Sequence, residues 1–296
     1  MAALVMPELK TVGALVAWAR RSLVQAGISN GAQEAMWLLE HALKVRSHQL
    51  LSQPDQLVSP AVWALAESLI ARRMACEPLQ YILGTQEFCG LEFAVSPSVL
   101  IPRPETELLV REVVRQHRAG HRATLVDVGT GSGCLAVTLA ATLRGASVLA
   151  IDRSADALQV AKCNAVTHGV LEAIEWMHGD LLAPLAGRGL EGRVDVIVSN
   201  PPYIAERDMP GLQPEVRLFE PHLALVSGPL GTEFHRRLLQ DALPFLVPQG
   251  LLVMEIGQGQ ADAVRALARD TAGYAPVAVV DDAAGIERVV IARKLG

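Results

Sequence analysis

The 296-residue chain is long enough for one large domain and a smaller one, and a 51% apolar content with mean hydropathy +0.29 excludes a disordered polypeptide. A net charge of −5 and an isoelectric point near 5.9 argue against a duplex nucleic-acid partner, since phosphate binding favours a basic surface. No uninterrupted apolar run reaches the ~18 residues of a membrane span, so no membrane partner is expected.

Met1 to Glu8 lacks the basic start and long apolar core of a signal peptide. Cys76, Cys89, Cys134 and Cys163 form no Cys-x-x-Cys pair, which favours reduced thiols in a cytoplasm. The histidines show no ligand spacing, and no metal is expected.

Residues 1–78 read as helices only. Leu15, Val16, Ala19 and Leu23 recur near helical spacing over Thr11–Ala26, and Gly27 stops that helix. Asn30 is placed to cap a second helix through Leu43. Ser59-Pro60 opens a third, to about Ala75, with Pro at its first position. Trp18, Trp37 and Trp63 read as core or interdomain residues, and His41 and His48 as packing or surface residues. The whole reads as a small helical bundle for substrate recognition. Residues 79–104 form a linker whose segment Phe88–Val95 predicts two short strands around Gly90. Ile101-Pro102-Arg103-Pro104-Glu105-Thr106-Glu107 then leads into a helix through about His117. Arg103, Glu105 and Glu107 read as an ion-pair cluster tying this linker to the following domain, residues 105–296.

From residue 122 strands and helices alternate, which predicts a Rossmann-like α/β domain, a mostly parallel sheet with helices on both faces. Strands are predicted at Ala123–Val128, Val148–Ile151, Ile174–Met177, Val194–Ser199 and Leu251–Ile256. Helices are predicted at Ser132–Leu143, from Ser154 to about His168, at Glu233–Leu246 and at Gln258–Ala268. Val277–Val280 and Arg288–Ala292 close the chain as a hairpin, implying one antiparallel strand. The two domains account for the apolar residues, so a monomer is expected.

Ligands of such sheets sit at the carboxyl ends of the strands. Gly129, Thr130, Gly131, Ser132 and Gly133 follow the first strand with spacing Gly-x-Gly-x-Gly. A dinucleotide fold would want Gly at Cys134, so NAD and FAD are disfavoured. Asp152, ending the second strand, is placed to bond both ribose hydroxyls of a nucleoside. Asp180 after the third is placed to accept from an adenine amine, with Leu181 over the ring. Asn200-Pro201-Pro202-Tyr203 follows the fourth strand and looks built to hold a planar NH2 group. The Asn200 oxygen and the Pro201 carbonyl can each accept one N–H, and the Tyr203 ring can lie on the flat group. Each feature alone has a plainer reading, as a tight turn or helix cap. Together they read as a methyl-transfer site fed by S-adenosylmethionine. The acceptor could be a side-chain amide, or an exocyclic amine of DNA adenine or rRNA guanine.

Beyond these readings, the chain resembles the class I S-adenosylmethionine methyltransferases. More narrowly, it resembles the HemK-type (PrmC) family that N5-methylates glutamine in peptide chain release factors. The matching segments are Gln80–Gly84, Ile101–Glu107, Asp127–Gly133, Asn200–Ile204, Glu220-Pro221 with Ala224-Leu225, and Glu255-Ile256-Gly257. The Ile101–Glu107 segment is the narrowest pointer. The resemblance implies a seven-stranded sheet and a Gly-Gly-Gln loop of a release factor as protein substrate. It also implies no direct nucleic-acid partner. Cys89 stands where an aromatic is common, Pro229-Leu230-Gly231 replaces a more usual Asp-Gly pair, and Asp281-Asp282-Ala283 makes an irregular tail.

Overall fold

The computed structural model describes residues 10–116 and 122–296. The expectations placed on Met1–Glu8 and at His117 lie outside the described residues. By internal packing the chain divides into two units: residues up to Gly84 together with Pro214–Phe219, and the remainder.

The first unit is helical: α1 (Val12–Gln25), α2 (Gly31–Leu43), α3 (Ser47–Ser52), α4 (Pro60–Met74) and α5 (Leu79–Leu83). Thr11 Oγ1 accepts from Ala14 N at 3.3 Å and Ser59 Oγ from Val62 N at 3.3 Å, each satisfying an orphan donor of the first turn. Asn30 occupies the cap position of α2 but makes no such side-chain bond. Leu15, Val16, Ala19 and Leu23 are all buried, as are Trp18 and Trp63. Trp37 is not: it is 43% exposed on the outer side of α2. The short α3 and α5 carry too few turns to show a helical period. Arg73 is buried in this unit and is held by Glu34 Oε2 at 2.5 Å and Glu215 Oε2 at 2.8 Å.

The second unit opens with the hairpin β1 (Thr85–Phe88) and β2 (Leu91–Ala94), paired Phe88 to Leu91. Cys89 (φ 52°) and Gly90 (φ 75°) fill the two-residue turn, whose backbone twist requires positive φ at both positions. A single 3-10 turn at Pro104–Thr106 leads into α6 (Glu107–Gln116). Then follow β3 (Thr124–Val128), α7 (Cys134–Thr142), β4 (Ser147–Asp152), α8 (Ala155–Thr167), β5 (Ile174–His178) and β6 (Val194–Ser199). A short excursion holds β7 (Ile204–Ala205), α9 (Pro214–Phe219, packed with the helical unit) and β8 (Val226–Gly228). The chain continues through α10 (Glu233–Ala242), β9 (Leu246–Glu255), α11 (Ala261–Thr271), β10 (Ala278–Asp281) and β11 (Glu287–Arg293).

The seven-stranded sheet has the order β10-β11-β9-β6-β3-β4-β5. Strands β5, β4, β3, β6 and β9 are parallel; β11 runs against both of its neighbours and is the one reversed strand. The fold expected from the alternation is therefore the fold observed. Its central strands are buried on both faces, between one apolar layer containing α6 and α7 and another containing α10 and α11. Helix α11 lies three residues later than expected at both ends, and three other boundaries differ for local reasons. Helix α7 starts at Cys134 rather than Ser132, because Gly133 takes a left-handed conformation as its N-cap. Helix α10 stops at Ala242, two residues before Pro244, which cannot donate to the helix ladder. Strand β9 begins at Leu246, five residues early, and its pairing with β6 slips between Leu246 and Leu251.

Candidate active site

One cleft of about 1150 Å³, open mouth included, lies at the carboxyl ends of β3 to β6. The chain order turns back there, with β4 on one side of β3 and β6 on the other. Gly129, Thr130, Gly131 and Ser132 line it after β3, Asp152 after β4, Asp180 and Leu181 after β5, and Asn200, Pro201 and Pro202 after β6. Arg103, Thr106, Leu223 and Phe234 complete its wall. Ten of the expected site residues thus share one cavity. Gly133 and Tyr203 are not among its lining residues.

The loop after β3 is pinned by its own backbone: Gly129 N and Thr130 N both donate to Ile151 O, at 2.9 and 3.0 Å. Gly129 (φ 73°) and Gly131 (φ 56°) lie in the left-handed region. A Cβ at Gly129 would meet nothing within 4 Å, so this backbone borders open space a ligand can approach. Gly133 also lies where α8 packs against the loop. Its Cβ would stand 3.0 Å from Ala161 Cβ, so the missing side chain lets α8 pack on the loop.

Asp152 Oδ2 accepts from Gly131 N at 2.8 Å and Oδ1 from Ser154 N at 2.8 Å. Each oxygen keeps a lone pair for a ligand hydroxyl. Burial raises its pKa despite those bonds. Asp127, fully buried at the base of the loop, accepts from Thr130 Oγ1 at 2.6 Å and Ala136 N at 3.1 Å. Desolvation pushes its carboxyl up to about 7. Asp180 is half exposed and pairs with Arg237 at 2.7 Å, a partner the sequence reading did not foresee. Leu181 is held at φ 48°, an unfavourable conformation for a branched side chain, at the cleft wall.

The Asn200 turn is braced from below. Asn200 Nδ2 donates to Thr106 Oγ1 at 3.0 Å, and Thr106 Oγ1 donates to Glu255 Oε2 at 2.7 Å. Tyr203 points its hydroxyl at Glu255 Oε1, 3.4 Å away, and its carbonyl accepts from Gln260 Nε2 at 2.9 Å. The Tyr203 hydroxyl thus faces the carboxylate that ends β9. Glu255 is 2% exposed, and burial pushes its pKa up to about 7.

The expected cluster of Arg103, Glu105 and Glu107 is replaced by separate contacts. Arg103 pairs with buried Glu220, whose other oxygen accepts from Ile101 N at 3.1 Å. Glu107 Oε1 accepts from Cys89 N at 2.7 Å, and Glu105 is exposed. The central residue of the segment is Thr106, which charge patterning passed over. A lone polar side chain at the third position of a 3-10 turn was the only signal available for it.

A doubly wound sheet with one reversed strand and a ligand cleft at its switch point defines a class I methyltransferase fold. The catalytic domain of human METTL16, solved with the MAT2A 3′UTR hairpin 6, superposes with a TM-score of 0.55 at 18% identity, covering 76% of this chain and 81% of that one. Family models for the PrmC N-terminal domain and the methyltransferase small domain match residues 14–84 and 104–213. A release factor glutamine methyltransferase of Geobacter sulfurreducens is 43% identical over 96% of this chain and 97% of its own length. Another, of Nitratidesulfovibrio vulgaris, is 42% identical over 96% and 95%. The chain belongs to the release factor glutamine methyltransferase family.

Proposed function

We propose that this protein transfers a methyl group from S-adenosylmethionine to the side-chain nitrogen (N5) of the glutamine in a release factor's Gly-Gly-Gln loop. One observation carries the reading. The Asn-Pro-Pro turn and the Gly129–Ser132 loop with Asp152 open into the same cleft, so an amide and a nucleoside can meet there.

The chain's residues suit that cofactor. The side-chain-free backbone of Gly129 and Gly131 admits close approach, and Asp152 offers two carboxylate acceptors to a ribose. Asp180 and Leu181 border the place for an adenine. When bound, S-adenosylmethionine supplies a sulfonium methyl that a nitrogen lone pair displaces from sulfur. An amide nitrogen is a poor nucleophile, so positioning dominates, and it can supply roughly 7–11 kcal/mol. Asn200 Oδ1 and the Pro201 carbonyl would accept the two amide N–H bonds. Both acceptors gain strength as the nitrogen turns positive. The methylated nitrogen then sheds its proton to solvent, and no tuned base is required. The Tyr203 ring would lie against the amide plane, with its hydroxyl directed at Glu255. Residues 1–78 would dock the release factor, and no direct nucleic-acid contact is needed.

The test is methyl transfer from labelled S-adenosylmethionine to purified release factor, run in parallel with rRNA and duplex DNA. Asn200→Ala should lower turnover on the order of 10²-fold or more, with a much smaller change in cofactor affinity. Near-normal turnover by that variant, or labelling of nucleic acid alone, would overturn the proposal.

A further inference from the structure

A carboxamide has two ends of nearly equal shape and opposite hydrogen-bonding sense. If Asn200 turned its amide over, it would present two donors to a substrate nitrogen that is itself a donor, and nothing would be held. Something must make one orientation far better than the other, and that something must accept without donating. Thr106 Oγ1 is the neighbour of Asn200 Nδ2, at 3.0 Å. A hydroxyl by itself is indifferent, because it can donate or accept. Here its single proton is committed to Glu255 Oε2 at 2.7 Å.

Once ionised, above a pH of about 7, the Glu255 carboxylate has only lone pairs to offer, so there the bond between Thr106 and Glu255 runs one way. Both residues are 2% exposed, which leaves no bulk water to take the hydroxyl proton instead. With that proton spent, Thr106 can meet Asn200 only as an acceptor, and it therefore takes the NH2 end. The placement follows from the fold. Pro104 starts the 3-10 turn that delivers Thr106, while Glu255 ends β9, the neighbour of the strand β6 that delivers Asn200. Glu255 does not line the cleft, so any effect it has on the reaction passes through the two residues that donate to it, Thr106 and Tyr203.

We infer that Thr106 and Glu255 are positioning residues, a one-way hydrogen-bond relay that keeps the Asn200 carboxamide oxygen, and not its NH2, turned to the substrate amide. The inference rests on the amide-holding role proposed above for Asn200.

The experiment measures kcat and KM on release factor, and cofactor affinity by calorimetry, for Thr106→Val, Thr106→Ser, Asn200→Ala and the Asn200→Ala/Thr106→Val double variant. Thr106→Val keeps the shape and removes the hydroxyl. It should lower kcat by about 10- to 100-fold, with KM and cofactor affinity changed by no more than about threefold. Thr106→Ser should return kcat to within about threefold of wild type. In the Asn200→Ala background Thr106→Val should cost nothing further, because the relay then has nothing to orient. If Thr106→Val proves unstable in thermal melts, Thr106→Ala and its Asn200→Ala double carry the same comparison. Near-wild-type turnover by Thr106→Val, while Asn200→Ala is impaired, would overturn the relay alone. So would an equal loss in both backgrounds, which would mark a purely structural role. Full activity of Asn200→Ala would instead sink the amide-holding role itself, and the relay with it.

Discussion

At the scale of single side chains, the cleft separates residues that meet a ligand from residues that aim them. In the proposed reading Asp152 is of the first kind: its oxygens hold Gly131 N and Ser154 N while lone pairs remain for a ligand. Hydrogen bonds to a charged group are worth about 1.5–3 kcal/mol, so Asp152→Ala should weaken S-adenosylmethionine binding roughly 10- to 100-fold. Titration calorimetry checks this, and unchanged affinity would remove the ribose role. The residues that line the cleft after β3 to β6 were legible because spacing exposes them: each follows a strand, in a loop with a recognisable composition. Thr106 and Tyr203 were harder to read. Thr106 acts through a bond to a residue 149 positions away, and no local pattern carries such a partner. Tyr203 sits in the tetrapeptide, but its hydroxyl meets Glu255, 52 positions away, a partner no local pattern carries.

Among the elements, those with several turns or a full buried strand were read directly from apolar period. Strands β3, β4 and β6 lie inside the sheet and are mostly apolar, and Ser59-Pro60 and Ser154 announce their helices. The excursion between residues 204 and 228 was not legible, because strands of two or three residues and a six-residue helix contain no repeat. Strand β9 was truncated in the reading since Val247-Pro248-Gln249-Gly250 resembles a break. In the structure this stretch is an irregularity within the strand, with Gln249 at φ 66°. The junction of loop and helix at Gly133 gives a test at this scale. A methyl group there would crowd Ala161 and sit at φ 80°. Overpacking costs about 1–3 kcal/mol, and the left-handed backbone about 1–2 kcal/mol more. Gly133→Ala should therefore lower the melting temperature by several degrees, at about 2–4 °C per kcal/mol for a domain of this size. Thermal melts with and without cofactor would register it.

For the molecule as a whole, two buried carboxyls, Asp127 and Glu255, are both held up near 7 by desolvation. The sign follows from proton binding. Between the ordinary carboxyl range and about pH 7 the folded chain holds protons that the unfolded chain does not. The contribution of these groups to stability is therefore complete at low pH and is lost as the pH rises through about 7. Buried His235 works against this, because its lowered pKa removes stability as the pH falls. Comparing wild type with Glu255→Gln isolates one term. The variant's advantage in melting temperature at pH 8 should shrink as the pH drops to 5, where wild-type Glu255 is also neutral.

The position of β11 carries a consequence for synthesis on the ribosome. This strand is the last element of the sequence, yet it lies inside the sheet, between β9 and β10. Until it emerges, β9 keeps an unpaired edge and β10 has no sheet neighbour at all. An arrested or prematurely terminated translation product would thus expose the adhesive border of a nearly finished sheet, a natural target for chaperones and proteases.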